Sequence, residues 1–374
     1  MNTIQPNGFL CNLVCSLNRR SFVPMKRFIL LVMLLVVVSA VQAAPAQQDN
    51  GVLYIYSSRH YGAMEAPFVA FEQATGIEIR LHDGTPQALL ERLRAEGDRS
   101  PADLFLAIDA GVLDKAAEEG LLQPVESEIL TENIAPEFRD PDNYWFGLSI
   151  RARTAVYNTE AVTEDELENH LNTYADLADP IWEGRLCMRP ASHIYTVSLV
   201  SGLIYNLGEE EATEVVAGWV ANNPTYINSD TRMIQAVAAG ECDVALVNHY
   251  YMGRLVSSED PAVENVVIRW LNQDTTGVFF NINGAGVTAN ARNYENAVRF
   301  IEFMSSLEGQ SGAPEGFPGS NFEYPTNPQA EWNETIASFG EFILDTNYPL
   351  NEYGNYQDAA VTLLEETGYG FDES

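Results

Sequence analysis

Basic residues are scarce in this chain. Its 374 residues include 20 Lys and Arg against 53 Asp and Glu, a formal net charge of −33 at pH 7. Four of the basic groups, Arg19, Arg20, Lys26 and Arg27, fall in the first 43 residues, which hold no acid. The remainder carries 16 basic against 53 acidic residues, a charge of −37. Such a surface repels a polyphosphate, so nucleic acid is excluded as a partner. The acids are spread along the whole length. They read as a solvated coat that keeps the protein soluble in salt, the functional alternative being a field that draws in cations. Cysteine is equally scarce: Cys11, Cys15, Cys187 and Cys242 are all there are. With Cys11 and Cys15 in the N-terminal segment, a four-thiolate metal site is excluded. In an oxidising compartment Cys187 and Cys242 read as a disulfide, the alternative being a free reactive thiol. No nucleophile elbow, HExxH or phosphate loop is present, so the motifs give an enzyme no support.

Long apolar runs are confined to Phe28–Val41, which is short for a membrane span and ends in the small residues of Val41-Gln42-Ala43-Ala44. That pattern predicts a secretory signal cleaved near Ala43, with residues 1–43 removed. Met25-Lys26-Arg27 offers a second start within it. Arg19-Arg20-Ser21-Phe22 resembles a twin-arginine motif, although the leucine- and valine-rich run suits the general secretion route better. No cysteine follows the cleavage site, which argues against a lipid anchor. A soluble protein outside the inner membrane is expected.

What the chain does have is tyrosine, 17 in all. Asn248-His249-Tyr250-Tyr251 follows the apolar run Val244–Val247, expected to be a buried strand. Adjacent phenols at the carboxyl end of such a strand sit where open α/β sheets place ligands. A phenol titrates near ~10, so only a strong Lewis acid such as ferric iron makes two of them shed protons near neutral pH. The bland reading has one tyrosine packed inward and the other on the surface, because strand side chains alternate.

Strands and helices alternate along the chain. Strands are expected at 52–56, 77–81, 102–107, 185–188, 242–247 and 266–270, with helices at 67–74, from Thr85-Pro86, from Asp109, and at 197–206, 209–221, 233–239, 294–305 and 358–366. Trp145 to Asn158 reads as extended chain with Arg151 and Arg153 in its middle, and a second extended stretch surrounds Gly277–Phe280. This order predicts two α/β lobes, each a mixed, mainly parallel sheet flanked by helices, joined by more than one crossing as a hinged clamshell. Residues 51–152 with 276–326 form one lobe and 153–275 with 327–374 the other. Parallel strands bring His60 and Tyr61 out of one lobe, and Tyr195, Tyr250 and Tyr251 out of the other, on the cleft side. One imidazole and several phenolates suit a trivalent, oxygen-loving ion better than zinc.

These stretches carry a resemblance. Tyr56–Tyr61, Asp109-Ala110-Gly111, Arg151-Ala152-Arg153 before Tyr157-Asn158, Cys187-Met188-Arg189 leading to Tyr195, Ala238–Asp243, Asn248–Tyr251 and Glu323-Tyr324-Pro325 resemble, in order, a periplasmic ferric-iron-binding protein of an ABC iron transporter. That family has the transferrin-like, type II-like periplasmic-binding-protein clamshell. The resemblance implies capture of Fe3+ in the periplasm and delivery to an inner-membrane permease and its ATPase, by a monomer without catalysis. It implies His60, Tyr61, Tyr195, Tyr250 and Tyr251 as ligands, and a disulfide between Cys187 and Cys242. Arg151 would offset phenolate charge or hold an anion such as carbonate; its bland reading is a partner for a surface acid. His60 has the bland reading of a surface histidine beside a ligating Tyr61. Three residues depart from the family pattern: His249, where a small hydroxyl is more usual, and Pro190 and His193, in a segment normally richer in serine. The rival function is a clamshell for an organic or oxyanion solute such as a polyamine, thiamine or phosphonate.

Overall fold

The computed structural model describes residues 51–59, 66–310 and 322–370. Residues 1–50, with the expected secretory signal, and His60 and Tyr61 lie outside these. Among the described residues no helix is long and apolar enough to cross a membrane.

Eleven strands are described: β1 (Val52–Ser57), β2 (Glu78–Asp83), β3 (Leu104–Ala107), β4 (Leu122–Gln123), β5 (Phe146–Asn158), β6 (Leu186–Met188), β7 (Thr225–Tyr226), β8 (Val244–Asn248), β9 (Val266–Arg269), β10 (Phe280–Thr288) and β11 (Tyr324–Pro325). They follow the order β2-β1-β3-β10-β5-β8-β6-β7, with β4 beside β10 and both β9 and β11 beside β5. The mixed α/β architecture expected from the sequence is observed. Pairing is parallel in β2-β1-β3 and in β8-β6-β7, and β10 and β5 run antiparallel to their neighbours between these two sets.

β5 explains why the stretch with two arginines is extended. Its first half, Phe146 to Ala152, pairs with β10, and its second half, Arg153 to Tyr157, pairs with β8. One 13-residue strand thus serves two sheets, and it changes partner between the two arginines. A second connection runs alongside: Arg153 N donates to Phe279 O at 2.9 Å, and Val278 bridges Leu344. Gly277 makes this approach feasible. Its φ is +92°, and a Cβ there would lie 2.6 Å from the Leu344 carbonyl carbon.

Local signals hold where they were strong. Thr85 caps the Pro86–Glu96 helix through Ala88 N, Asp109 caps Ala110–Glu118 through Val112 N, and the Tyr294–Ser305 helix has the expected bounds. Three helices start earlier than expected: Ile194–Leu207 begins before Val197, Asp230–Ala238 before Met233 and Tyr353–Glu366 before Asp358. In the first of these, Tyr195 falls inside the helix. Its cap is His193, whose Nδ1 accepts from Tyr195 N at 3.2 Å, a role for which histidine gives little sequence signal.

Cys187 in β6 and Cys242 just before β8 are joined, with Cα atoms 5.8 Å apart. The bridge closes a loop of 55 residues, which in the chain-entropy model stabilises the fold by about 4 kcal/mol. Both cysteines are buried. Replacing both by alanine should therefore lower the free energy of unfolding in denaturant titration by about that amount, whereas a change under about 1 kcal/mol would mean the loop is already restrained in the unfolded chain.

Candidate metal centre

Tyr250 and Tyr251 do not end the strand, as the apolar run suggested. β8 stops at Asn248, and both tyrosines lie in the first turn of the His249–Ser257 helix. Strand alternation therefore does not separate them. Tyr250 is fully buried and Tyr251 half-buried, with ring centroids 4.3 Å apart. Tyr195 stands likewise in the first turn of its own helix. The two hydroxyls meet: Tyr195 Oη lies 3.1 Å from Tyr250 Oη. Both tyrosines thus lie at helix starts, the positive end of the macrodipole.

Cations surround the pair. Arg151 Nη1 donates to Tyr195 Oη at 3.0 Å, and its Nη2 donates to the Ile108 carbonyl. The guanidinium carbons of Arg151, Arg189 and Arg153 lie 5.0, 5.5 and 5.7 Å from the Tyr195 ring centroid. All three arginines are buried, so the reading of Arg151 as a partner for a surface acid does not hold. Arg254 lies 5.3 Å from the Tyr250 ring and 5.4 Å from the Tyr251 ring.

Asp230 offsets two of these cations. It is fully buried and accepts from Arg189 Nε at 2.8 Å, Arg153 Nη1 at 3.4 Å and Asn248 N at 3.1 Å. Burial works against its charge, but Arg153 and Arg189 hold its carboxyl below the usual carboxylate range. Nothing in the sequence singled it out, because an acid in a helix first turn normally serves the helix. Arg254 was more accessible to sequence reasoning, lying four residues after Tyr250 and three after Tyr251 on one helix.

The two departing histidines are structural. Burial first, then the charge of Arg189, pushes His193 down to about 3, so the ring stays neutral and caps its helix. Burial pushes His249 down to about 4. Neutral His249 accepts from Ala152 N at 3.1 Å and donates through Nε2 to Phe322 O at 3.0 Å. It fastens the tyrosine-bearing helix to the point where β5 changes sheets.

His60 and Tyr61 lie outside the described residues. The residue before them, Arg59, is buried and pairs with Glu323 at 3.3 Å. Ser149 and Asn283 also donate to Glu323, at 2.6 and 2.7 Å, so the end of β1 is tied to β5 and β10. Among the described residues no group of three or more His, Cys, Asp and Glu side chains is placed to hold a metal.

A mixed sheet divided by a strand common to both halves, with buried polar groups gathered beside the division, defines a two-lobe α/β binding-protein clamshell. Residues 99–341 match the bacterial extracellular solute-binding protein model, and the chain belongs to that family. It is 41% identical over 330 residues to iron uptake protein A1 of Synechocystis sp., covering 87% of this chain and 89% of that protein. It is 30% identical over 291 residues to the major ferric iron-binding protein of Neisseria meningitidis, covering 76% and 83%. Among solved structures, a Trichodesmium protein in complex with iron and citrate superposes with a TM-score of 0.76 at 37% identity, over 85% of this chain and all of that one. The ferric binding protein from Campylobacter jejuni gives 0.78 at 34%, over 85% and 99%.

Proposed function

We propose that this protein binds ferric iron in the periplasm and delivers it to the inner-membrane permease and ATPase of an ABC transporter, acting as a monomer without catalysis. The 3.1 Å approach of Tyr195 and Tyr250 beneath the Arg151 guanidinium carries the reading. Phenolates of Tyr195, Tyr250 and Tyr251 supply hard, charged oxygens, and His60 and Tyr61 complete the ligand set from the opposing lobe. With Tyr61 the phenolates number four, one negative charge more than a trivalent cation carries, and Arg151 offsets that excess or holds an anion such as carbonate. Residues 51–152 with 276–326 and residues 153–275 with 327–374 form the two lobes, which close when ligands from both grip one ion. The names and titles of the relatives, iron uptake and ferric binding, support the same cargo.

A metal titration beside a screen of polyamines, thiamine and phosphonates tests the proposal. One ferric ion per chain, with a visible phenolate-to-metal band, is expected. Tight binding of an organic solute with no coloured iron complex would overturn it. Arg151→Leu should weaken iron binding by ~10–100-fold while the colour persists, because Arg151 acts on the phenolates and not on the metal. Loss of the band in this variant would instead make Arg151 indispensable to phenolate ionisation.

A further inference from the structure

Asp109 makes more hydrogen bonds than a helix cap requires. The residue is 1% exposed. Its Oδ1 accepts from Val112 N at 3.0 Å, which is the cap, and from Gln357 Nε2 at 2.7 Å. Its Oδ2 accepts from Ser198 Oγ at 2.5 Å and from Asn281 Nδ2 at 2.7 Å. The Asn281 amide is fixed in this orientation, because its Oδ1 accepts from Ala110 N at 2.9 Å and Ile282 N at 2.8 Å. A cap needs only the bond from Val112, so the other three donors call for a separate account.

Those donors come from both proposed lobes. Asn281 and Val112 lie in the same lobe as Asp109, whereas Ser198 and Gln357 lie in the other, on the Ile194–Leu207 and Tyr353–Glu366 helices. Gly111 allows the approach: a Cβ there would lie 2.5 Å from Gln357 Nε2 and 2.9 Å from Gly354 N. The same junction reaches the phenols twice. Ser198 stands three residues after Tyr195 on one helix, and so on the same face. Ile108, the residue before Asp109, accepts from Arg151 Nη2 through its carbonyl, and Arg151 Nη1 donates to Tyr195 Oη. One buried carboxylate thus fastens the helix that carries Tyr195 beside the carbonyl that holds Arg151. Hydrogen bonds to a charged acceptor are about twice as strong as neutral ones.

We infer that Asp109 is a positioning residue for metal binding: through Ser198 and Gln357 it holds the two lobes together beside the phenols, and so sets how fast a bound ion leaves. The inference rests on the lobes and the ferric cargo proposed above. Asp109 acts through its neighbours and does not touch the metal.

Ser198→Ala tests this. It removes one donor from the opposite lobe, keeps the cap and the other bonds of Asp109, and places a good helix former in a helix. Loss of one charge-assisted hydrogen bond predicts iron release to excess chelator ~10–100-fold faster, with the visible band unchanged because every phenol remains. Hydrogen–deuterium exchange of the iron-free protein needs no metal, so it decides on Asp109 even if no coloured iron complex forms and the ferric reading fails. Peptides over residues 109–112 and 194–198 should exchange ~10–100-fold faster in the variant, while a peptide over strand β2, Glu78–Asp83, is unchanged. Asp109→Asn should have an effect at least as large, since its amide would face the Asn281 amide. Adding Asn281→Asp returns an acceptor to that contact and should restore most of the parent behaviour. Unchanged release and exchange in Ser198→Ala would overturn the inference. So would equally accelerated exchange over Glu78–Asp83, which would make the bond a general support of the fold.

Discussion

Tyr250→Phe should cost more than ~100-fold in ferric-iron affinity and shift or remove the visible band. The bound ~10–100-fold is typical of a residue behind a ligand, and loss of a ligand itself should exceed it. The substitution removes one oxygen and keeps the ring, so packing against Tyr251 and Arg254 is retained. Full burial of Tyr250 means that no exposed neighbour readily replaces the oxygen. It also means that phenylalanine leaves Tyr195 Oη with one fewer partner, while Arg151 continues to donate to it. Thermal unfolding of the iron-free variant should therefore stay close to that of the parent. Affinity measured by competition against a chelator, alongside the absorption spectrum, checks both parts. A variant with unchanged affinity and colour would place Tyr250 in the core rather than on the metal.

Asp230→Asn should destabilise the iron-free protein by ~3–5 kcal/mol, the range seen when one member of a buried ion pair is removed. Two guanidinium groups, of Arg153 and Arg189, rely on this one carboxylate. Without it both remain buried beside the Tyr195 ring with their charges uncompensated. The same group sets a pH dependence. Its folded pKa is depressed below the unfolded value, so its stabilisation is present above about pH 4 and is lost as pH falls through the folded value. Urea unfolding of parent and variant across acidic pH checks this: the difference between them should be largest at neutral pH and shrink on acidification. A constant difference would show that Asp230 acts through its hydrogen bonds and not its charge.

Much of the fold was legible because its signals are local. Thr85-Pro86 and Asp109 are caps with one physical meaning, and the long extended run from Trp145 to Asn158 has no helical period to compete with it. The apolar run Val244–Val247 was read correctly as a buried strand, but its end was misplaced. Asn248 is the last strand residue, and the tyrosines lie in the first turn of a helix that starts directly after it, a junction that hydrophobic pattern does not encode. The antiparallel course of β5 and β10 was equally hidden, since strand direction depends on partners far away in sequence. In the candidate site, Tyr195 Oη lies beside both Tyr250 Oη and the Arg151 guanidinium. Asp230 and Arg254 were missed: Asp230 reads as a helix-start acid, and Arg254 needs the helix to be known first. His249 stands out in the sequence as a departure from the family pattern, and its role as a backbone clamp depends on Ala152 and Phe322, which are distant in sequence.

The most direct measurement is the resonance Raman spectrum of the iron-loaded protein, excited within its visible band. Coordination through Tyr195 and Tyr250 predicts tyrosinate ring modes in the parent that are lost or reduced in a Tyr195→Phe/Tyr250→Phe double variant. A protein that binds iron stoichiometrically yet shows no tyrosinate modes would contradict coordination by these phenols.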